Sequence, residues 1–259
     1  MQREFVNFQM EDRVALVTVD RPPVNAMNKQ VNEEIEDIFK ELQSREDVGA
    51  VIITGGGDKA FIAGADIKMV SEMGPEDAFA LAGYVQGVMN GIENFDRVVI
   101  AAINGLALGG GCEIALACDI RVADERSIFG LPEVSLGVFP GAGGTQRLAR
   151  LVGSGKAKEL ILTGDPINTE EAKSIGLVER VAPQGQAVSE ARKIAERILL
   201  RGPVAVSYAK KAINEGVNKG IKEGLKLEAR LFSELFKTQD KKEGIAAFLE
   251  KRKPKFTGE

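Results

Sequence analysis

Residues 98–118 read VVIAAINGLALGGGCEIALAC, an almost unbroken apolar run that decides how this chain folds. The run is about as long as a segment that spans a bilayer. However, Asn104, Glu113 and three consecutive glycines interrupt it, and it has neither a second apolar span nor a basic flank beside it. We therefore interpret the run as a strand, a turn and a buried helix, and we expect no membrane partner.

The segments before this run predict an α/β core. Residues 14–20, VALVTVD, alternate and are rich in β-branched side chains, as a strand should be. Apolar residues at helical spacing follow at 28–45, and the nearly all-apolar VGAVIITG at 48–55 closes a βαβ unit. Because strand and helix patterns alternate through residue 125, we expect a sheet with short parallel crossovers.

The second half of the sequence is mostly helical. One long helical pattern, at about 69–95, already precedes the opening run. A strand is predicted at 177–182, and further helical patterns cover 156–164, 169–176, 186–201, 203–218, 221–237 and 241–253. Since RGPV interrupts the helical pattern near residue 200, we divide the chain into a core, 1–200, and a helical C-terminal region, 201–259.

Composition narrows the class of protein. With 259 residues, 44% of them hydrophobic, the chain can bury a substantial globular core. Its 34 basic and 38 acidic residues leave a charge of −4, without the basic excess of a nucleic-acid binder. No signal-peptide pattern opens the sequence, and Cys112 and Cys118 lack the spacing of a zinc site or a secreted disulfide framework. We expect a reduced, cytoplasmic setting and small-molecule chemistry.

The sequence contains no histidine. Nucleophile systems of the Ser-His-Asp and Cys-His types are therefore excluded, and a metal site would have only carboxylates and two cysteines as ligands. None of the glycine-rich segments has the spacing of a nucleotide-binding loop. Acid–base chemistry at neutral pH must fall to Asp, Glu, Lys, Tyr or Cys.

The glycines at 109–111 have two interpretations. Glycine allows a strand and a helix to pack closely, and it also lets an anion approach the unpaired N–H groups at a helix N-terminus. Glu113 favours the second interpretation, because three residues after Gly110 it falls in the first helical turn, where a carboxylate and a bare N–H would lie side by side.

Two other segments could complete such a site. Glu133 lies in FGLPEVSLG, a turn with apolar neighbours, where a lone glutamate is usually solvent-facing or paired with a cation. Two carboxylates in apolar surroundings would push each other's pKa values apart, as a shared acid–base site requires. In FIAGADIK, the loop at Gly64 and Ala65 could supply a second N–H opposite that of Gly110. A carboxylate pair with two N–H donors suits stabilisation of an enolate beside a carbonyl.

Five segments, in order along essentially the whole chain, resemble the crotonase (enoyl-CoA hydratase/isomerase) superfamily, most closely its enoyl-CoA hydratases. They are FIAGADIK, AAINGLALGGGCEIALACDIRVA, FGLPEVSLGVFPGAGGTQRL, LTGDPINTEEAKSIGLVERV and EKRKPKF. The resemblance implies an α/β spiral of ββα repeats, with C-terminal helices that mediate trimerisation into a homotrimer or a homohexamer, the latter a dimer of trimers. It also implies reversible hydration of a trans-2-enoyl-CoA, of short chain, to a 3-hydroxyacyl-CoA. No cofactor is implied, because coenzyme A is part of the substrate.

The resemblance also assigns roles to residues. The N–H groups of Ala65 and Gly110 would hold the thioester oxygen. Glu113 would hold and deprotonate the water that attacks C3, and Glu133 would deliver the proton to C2. Gly141 would lie beside the water. The residues assigned to coenzyme A are Ala63, Gly64, Asp66, Ile67, Lys68 and Lys251. Lys251, in the basic tail at 237–255, would face the phosphates of a coenzyme A bound by a neighbouring subunit.

Other functions stay open at this point. The runner-up is another enzyme of the superfamily, an enoyl-CoA isomerase or a dehydratase of a branched or aromatic acyl-CoA. A catalytically idle thioester or RNA binder is a third reading, against which stand both glutamates and the net charge of −4. RPPVNAMN, at 21–28, is a residue shorter than the RPxxLNAL form familiar in many hydratases, so we assign no substrate contacts to 22–27.

Overall fold

In the computed structural model of the chain, which describes residues 3–259, two β-sheets lie against each other and helices surround them. The strands are β1 (Val6–Glu11), β2 (Val14–Val19), β3 (Ala50–Gly55), β4 (Ala60–Ala63), β5 (Val98–Ile103), β6 (Leu106–Leu108), β7 (Ile120–Asp124), β8 (Ile128–Gly130), β9 (Ile167–Asn168) and β10 (Arg180–Ala182). The first six helices are α1 (Lys29–Gln43), α2 (Ile67–Ser71), α3 (Pro75–Glu93), α4 (Gly110–Ala117), α5 (Gly144–Val152) and α6 (Ser154–Thr163). The others are α7 (Thr169–Ser174), α8 (Ala187–Leu199), α9 (Pro203–Gly216), α10 (Ile221–Leu235) and α11 (Gln239–Leu249). A short 3₁₀ helix spans Pro132–Leu136.

The two sheets are built from repeated ββα units. The larger sheet has the order β1-β2-β3-β5-β7-β10 and the smaller one β4-β6-β8-β9. Strands β3, β5 and β7 each lead directly into a strand of the smaller sheet, and that strand leads on toward a helix. Strands β2 and β3 are parallel neighbours, with Val14 opposite Ala50, so the βαβ unit expected from the sequence is confirmed. The predicted spiral of ββα repeats is likewise the observed architecture.

Both faces of the larger sheet are covered, which explains why its central strands are apolar throughout. Strands β3 and β5 are buried along their full length. The apolar face of α1, which includes Ile35 and Leu42, packs in the main core cluster. On the other face, Ala187, Ala191 and Ala195 of α8 pack in a second cluster with residues of β3, β5 and β7. Alanines four residues apart present a flat helix face, so α8 can approach the strands closely.

The opening run folds as β5, β6 and α4. The interpretation as strand, turn and buried helix is confirmed, with the addition of the three-residue strand β6 in the turn. Its last residues form α4, in which every residue from Gly111 to Ala117 is buried. Within residues 3–259, the structure contains no helix that is both long enough and apolar enough to cross a membrane.

Gly111 gives the glycine run its packing role. A Cβ atom at this position would lie 1.9 Å from the carbonyl oxygen of Ile62 on β4, a distance that no side chain can adopt without moving the backbone. Gly109, which precedes α4, has a φ of +53° that also favours glycine. Close strand–helix packing is therefore one true reason for the run, and it does not conflict with a role at the helix N-terminus.

Several elements differ from the sequence-based expectation. Strand β1 and the short strands β4, β6, β8 and β9 were not predicted, nor was α5. The long helix expected at 69–95 is divided into α2 and α3, because Gly74 is the N-cap of α3 and Pro75 is its first residue. The strand expected at 177–182 is confined to β10. The break near residue 200 is observed between the end of α8 and the start of α9.

Candidate active site

Glu113 lies where its spacing from the glycines predicts, in the first turn of α4. Its side chain points into the protein, and the residue is only 3% exposed. The carboxylate is held from one side: Oε1 accepts hydrogen bonds from the backbone N–H groups of Ala142, at 2.8 Å, and Gly144, at 2.7 Å. A Cβ on Gly144 would come within 3.0 Å of this oxygen, so glycine is needed there.

The other oxygen of Glu113 makes no hydrogen bond to any of residues 3–259. One oxygen is therefore fixed and the second is available to another molecule. Burial raises the pKa of Glu113, whereas the N–H groups of Gly144 and Ala142 and the charge of Arg147 lower it. Because these donors stabilise the ionised form, they offset part of the effect of burial.

Glu133, in the 3₁₀ helix, lies in a less favourable environment for a charge. Its Oε2 atom is buried and has no hydrogen-bond partner in the part of the chain that the structure describes. Oε1 lies 3.2 Å from the position that a Cβ on Gly109 would occupy, directly before α4. Burial, reinforced by the charge of Glu113, raises the pKa of Glu133 to about 7. The two carboxyl groups thus share one site, and Glu133 holds a proton up to a pH of about 7.

We expect Glu133 to destabilise the folded chain at alkaline pH. Its pKa is 4.5 ordinarily and about 7 in the folded chain, so between these values the folded chain binds a proton that the unfolded chain has lost. The free energy of unfolding therefore falls as the pH rises through this window, and stays lowered above it. Thermal unfolding should reveal this: Glu133→Gln should raise the midpoint more at about pH 8 than at about pH 5. An equal shift at both pH values would contradict the assignment.

The two predicted N–H donors make no hydrogen bond to any of residues 3–259. The N–H of Gly110 opens α4 and so has no partner within the helix. Around Ala65, the N–H of Met27 donates to the carbonyl of Gly64 at 2.9 Å, and the N–H of Asp66 donates to the carbonyl of Met27 at 2.7 Å. This pairing leaves the N–H of Ala65 without a partner among the described residues.

The loop that carries Ala65 lies against the start of α4. The N–H of Gly64 donates to the carbonyl of Leu108 at 2.8 Å. The Cα of Gly64 is 3.3 Å from the position of a Cβ on Gly109, which is also the position close to Glu133. The structure thus brings together the two N–H donors and both carboxyl groups, as the sequence predicts.

The segment assigned to coenzyme A borders this site. Asp66 caps α2 by accepting a hydrogen bond from the N–H of Lys68 at 3.2 Å, and Arg21 donates to it at 2.8 Å. This hydrogen bond from Arg21 lowers the pKa of Asp66. Ile67 is 54% exposed, although it is apolar. Lys68 lines an open depression of about 420 Å³, together with Lys29 at the start of α1.

Ala63 and Lys251 are the remaining residues assigned to coenzyme A. The N–H of Ala63 donates to the carbonyl of Val24, at 3.0 Å, so residues 24–27 run alongside 63–66. Lys251 lies beyond α11, is exposed and makes no side-chain hydrogen bond or ion pair within residues 3–259. Within these residues its side chain therefore has no polar contact with the other site residues.

Sequence reasoning did not identify the residues that hold Glu113. Ala142 and Gly144 lie in GAGG, at 141–144, which leads into α5 and includes its first residue, Gly144. A glycine-rich segment that leads into a helix presents free N–H groups, and these bind carboxylates readily, so the motif carried a usable signal. Gly141 itself accepts a hydrogen bond from Gln86 Nε2 at 2.8 Å. It is thus part of the loop that holds Glu113, beside the position assigned to the water.

No group of three His, Cys, Asp or Glu side chains among residues 3–259 is arranged to hold a metal ion. Cys112 and Cys118 are both buried and unpaired. Burial raises the pKa of each thiol to about 12, so neither is ionised at neutral pH. The acid–base groups of the site are therefore its two glutamates.

Comparison with known proteins agrees with this geometry. A family model described as enoyl-CoA hydratase/isomerase matches residues 9–259. The chain is similar to a crotonyl-CoA hydratase of Syntrophomonas wolfei, with 46% identity over 99% of each chain. It is also similar to a short-chain-enoyl-CoA hydratase of Clostridium acetobutylicum, with 44% identity over 98% of this chain and 97% of that one. A crystal structure of an enoyl-CoA hydratase from Bacillus anthracis superimposes with a TM-score of 0.95, at 41% identity, over 99% of this chain and 100% of that chain.

Proposed function

The chain belongs to the enoyl-CoA hydratase/isomerase family, and from this premise we propose that it is an enoyl-CoA hydratase, a hydro-lyase. It adds water reversibly across the C2–C3 double bond of a trans-2-enoyl-CoA to give a 3-hydroxyacyl-CoA. One observation carries the proposal: two carboxyl groups, Glu113 and Glu133, meet at one site beside two N–H groups that have no partner within residues 3–259.

In this mechanism the N–H groups of Ala65 and Gly110 donate to the thioester oxygen. Attack at C3 moves electron density onto that oxygen and forms an enolate. Fixed donors at a helix N-terminus stabilise this charge, and they need no reorganisation as it develops. Glycine at 110 leaves the approach to its N–H free of side-chain atoms.

The two glutamates divide the proton transfers. Glu113, whose Oε1 is fixed by two N–H groups, presents Oε2 to a water molecule and takes its proton as the oxygen bonds to C3. Glu133, protonated near neutral pH because its pKa is about 7, gives its proton to C2. Atoms balance: one water is consumed, and the proton gained by Glu113 replaces the one lost by Glu133. Gly141, on the loop that supports Glu113, lies beside the water.

The substrate extends in two directions from this centre. Coenzyme A lies along Ala63–Lys68, where Lys68 at the open depression can donate to one of its phosphates. The acyl part extends from the thioester in the other direction. The crotonyl and short-chain substrates in the names of the two relatives favour a short acyl chain.

A steady-state assay over trans-2-enoyl-CoA thioesters of increasing chain length tests the proposal. Hydration removes the conjugated double bond, and its ultraviolet absorbance should disappear most rapidly with the shorter thioesters. No loss of absorbance at any length would contradict the proposal. An isomerase, one form of the runner-up, predicts products without an added water.

Removing the N–H of Gly110 should lower kcat by about 10²- to 10³-fold, the usual effect of losing one oxyanion donor. Gly110→Pro makes this change, because proline has no N–H and is well tolerated at the first position of a helix. Gly110→Ala is the matched control: its Cβ meets the same atom, Met27 Sδ at 3.1 Å, but its N–H remains. The rate of crotonyl-CoA hydration by both variants is measured by stopped-flow or steady-state kinetics. Similar rates in the two would argue against this donor.

We propose that residues 1–200 form the catalytic core and that 201–259 assemble the chain into a homotrimer or a homohexamer. The support is a set of apolar side chains that a single chain leaves exposed in the C-terminal region: Ile213, Val217, Ile221, Leu225, Phe232, Phe236, Ile245, Phe248 and Leu249. Such an area is typical of a protein interface. In the assembly, Lys251 would reach the coenzyme A phosphates of a neighbour.

The proposed setting is the cytoplasm, where the free thiols Cys112 and Cys118 stay reduced. No cofactor is proposed beyond the coenzyme A that the substrate carries, since proton transfer and oxyanion stabilisation by backbone N–H groups account for the whole reaction.

A further inference from the structure

Arg147, on α5, is largely buried beside the active site but is not one of its catalytic groups. Its side chain is 14% exposed and forms an ion pair with Glu93 on α3, with Nη2 and Oε2 2.7 Å apart. Nε donates to the same carboxylate at 3.0 Å, and Nη2 donates to Asn90 Oδ1 at 2.8 Å. The guanidinium is therefore fixed against the end of α3 by two acceptor side chains.

The same guanidinium contacts the loop that holds Glu113. Nη1 of Arg147 donates to the carbonyl oxygen of Ala142 at 3.2 Å. The N–H of the same residue, Ala142, donates to Glu113 Oε1. One peptide unit away, Gln86 of α3 donates to the carbonyl oxygen of Gly141. Helix α3 thus restrains the loop at two successive carbonyl groups, once directly and once through Arg147.

Gly143 shows how closely the guanidinium packs on this loop. Its φ is +111°, and a Cβ there would lie 2.2 Å from Arg147 Nη1. The loop therefore passes under the guanidinium with glycine at the contact. A shift of Arg147 would free the peptide group between Ala142 and Gly143, which connects the two peptide groups whose N–H groups bind Glu113.

We propose that Arg147 is a positioning residue for the reaction: by fixing the peptide group between Ala142 and Gly143 against α3, it aims the N–H groups of Ala142 and Gly144 at Glu113 and so holds the base in place. The inference rests on the hydratase function proposed above. It assigns to Arg147, Glu93 and Asn90 a role in catalysis although none of them touches the substrate.

The charge of Arg147 adds a second effect on the base. It lowers the pKa of Glu113, in opposition to burial. The other ionisable groups near Glu113 are Glu133, whose pKa it raises, and Cys112, whose thiol is neutral. Removing the positive charge should therefore raise the pKa of Glu113. Since the base must be ionised, the acid limb of the pH profile of kcat/KM should move to higher pH.

The test compares Arg147→Met, Arg147→Lys and Glu93→Gln with the wild type in crotonyl-CoA hydration. Misplacement of a catalytic group by about 1 Å costs about 10²-fold, so we expect kcat to fall by about 10- to 100-fold in Arg147→Met. KM should change little, because the coenzyme A segment lies on another loop. Arg147→Lys should keep the acid limb near its wild-type position, while kcat stays low because lysine lacks the forked donor geometry.

Arg192→Met is the matched control. Arg192, on α8, is itself partly buried, forms an ion pair with the exposed Glu11 at 2.9 Å, and lies outside the catalytic loop. If Arg147→Met does not fold, Glu93→Gln, which leaves α5 intact, should still lower kcat. A kcat in Arg147→Met or Glu93→Gln no lower than in the control, or an acid limb that does not move in Arg147→Met, would overturn the inference. A wild type inactive on every enoyl-CoA would instead overturn the proposed function, and the inference with it.

Discussion

Glu113→Gln should lower kcat for crotonyl-CoA hydration by about 10³-fold, within the range of about 10² to 10⁴ that positioned proton transfer contributes. The amide oxygen of glutamine can still accept the N–H groups of Ala142 and Gly144, so the loop should keep its structure. What is lost is the basic oxygen that takes a proton from water. Thioester binding, measured by calorimetry, should stay within a few-fold of wild type.

A control for this variant is Glu125→Gln, which changes an exposed glutamate that makes no side-chain hydrogen bond within residues 3–259. It should hydrate crotonyl-CoA at the wild-type rate. If Glu113→Gln retained more than about a tenth of wild-type kcat, Glu113 would not be the base, and its burial would need another explanation.

Glu133→Gln should reduce kcat by a similar factor, about 10²- to 10⁴-fold, but for a different reason. Glutamine cannot supply the proton that C2 receives. In the wild type, the acid must carry its proton, so kcat/KM should decline as the pH rises through about 7, the pKa of Glu133. In the variant, this alkaline decline should disappear from the residual activity. Because the two carboxyl groups interact, the pKa values measured from the pH profile belong to the pair and not to either glutamate alone.

The pH dependence is what separates Glu133 from a residue that merely packs in the site. A variant with low kcat and an unchanged alkaline limb would show that another group supplies the proton to C2. Glu133→Gln would then still be stabilised at alkaline pH, as predicted. Its loss of activity, however, would not come from removal of the acid.

Sequence reasoning reached the centre of the site because its signals are local. Glu113 follows Gly110 by three residues, and helical geometry alone places it in the first turn beside an unpaired N–H. The exclusion of a membrane span also followed from the polar groups within residues 98–118. The resemblance to the crotonase superfamily then supplied the role of Glu133, for which the local sequence favoured a solvent-facing side chain.

The contacts that the sequence could not reveal are long-range. The N–H donors to Glu113 lie 29 and 31 residues further along the chain, and Glu93 precedes its partner Arg147 by 54. Strands β6 and β8 have three residues each, too few for a recognisable alternation, and they form because neighbouring strands pair with them. In each case tertiary packing, rather than local propensity, decides the structure.

The most direct test of the account is product analysis after incubation with crotonyl-CoA in water enriched in ¹⁸O, and separately in D₂O. If Glu113 activates a water and Glu133 protonates C2, the product is a 3-hydroxyacyl-CoA that carries one ¹⁸O at C3 and, in the second experiment, one deuterium at C2. A product of unchanged mass, or an isomerised thioester without ¹⁸O, would contradict the assignment as a hydratase.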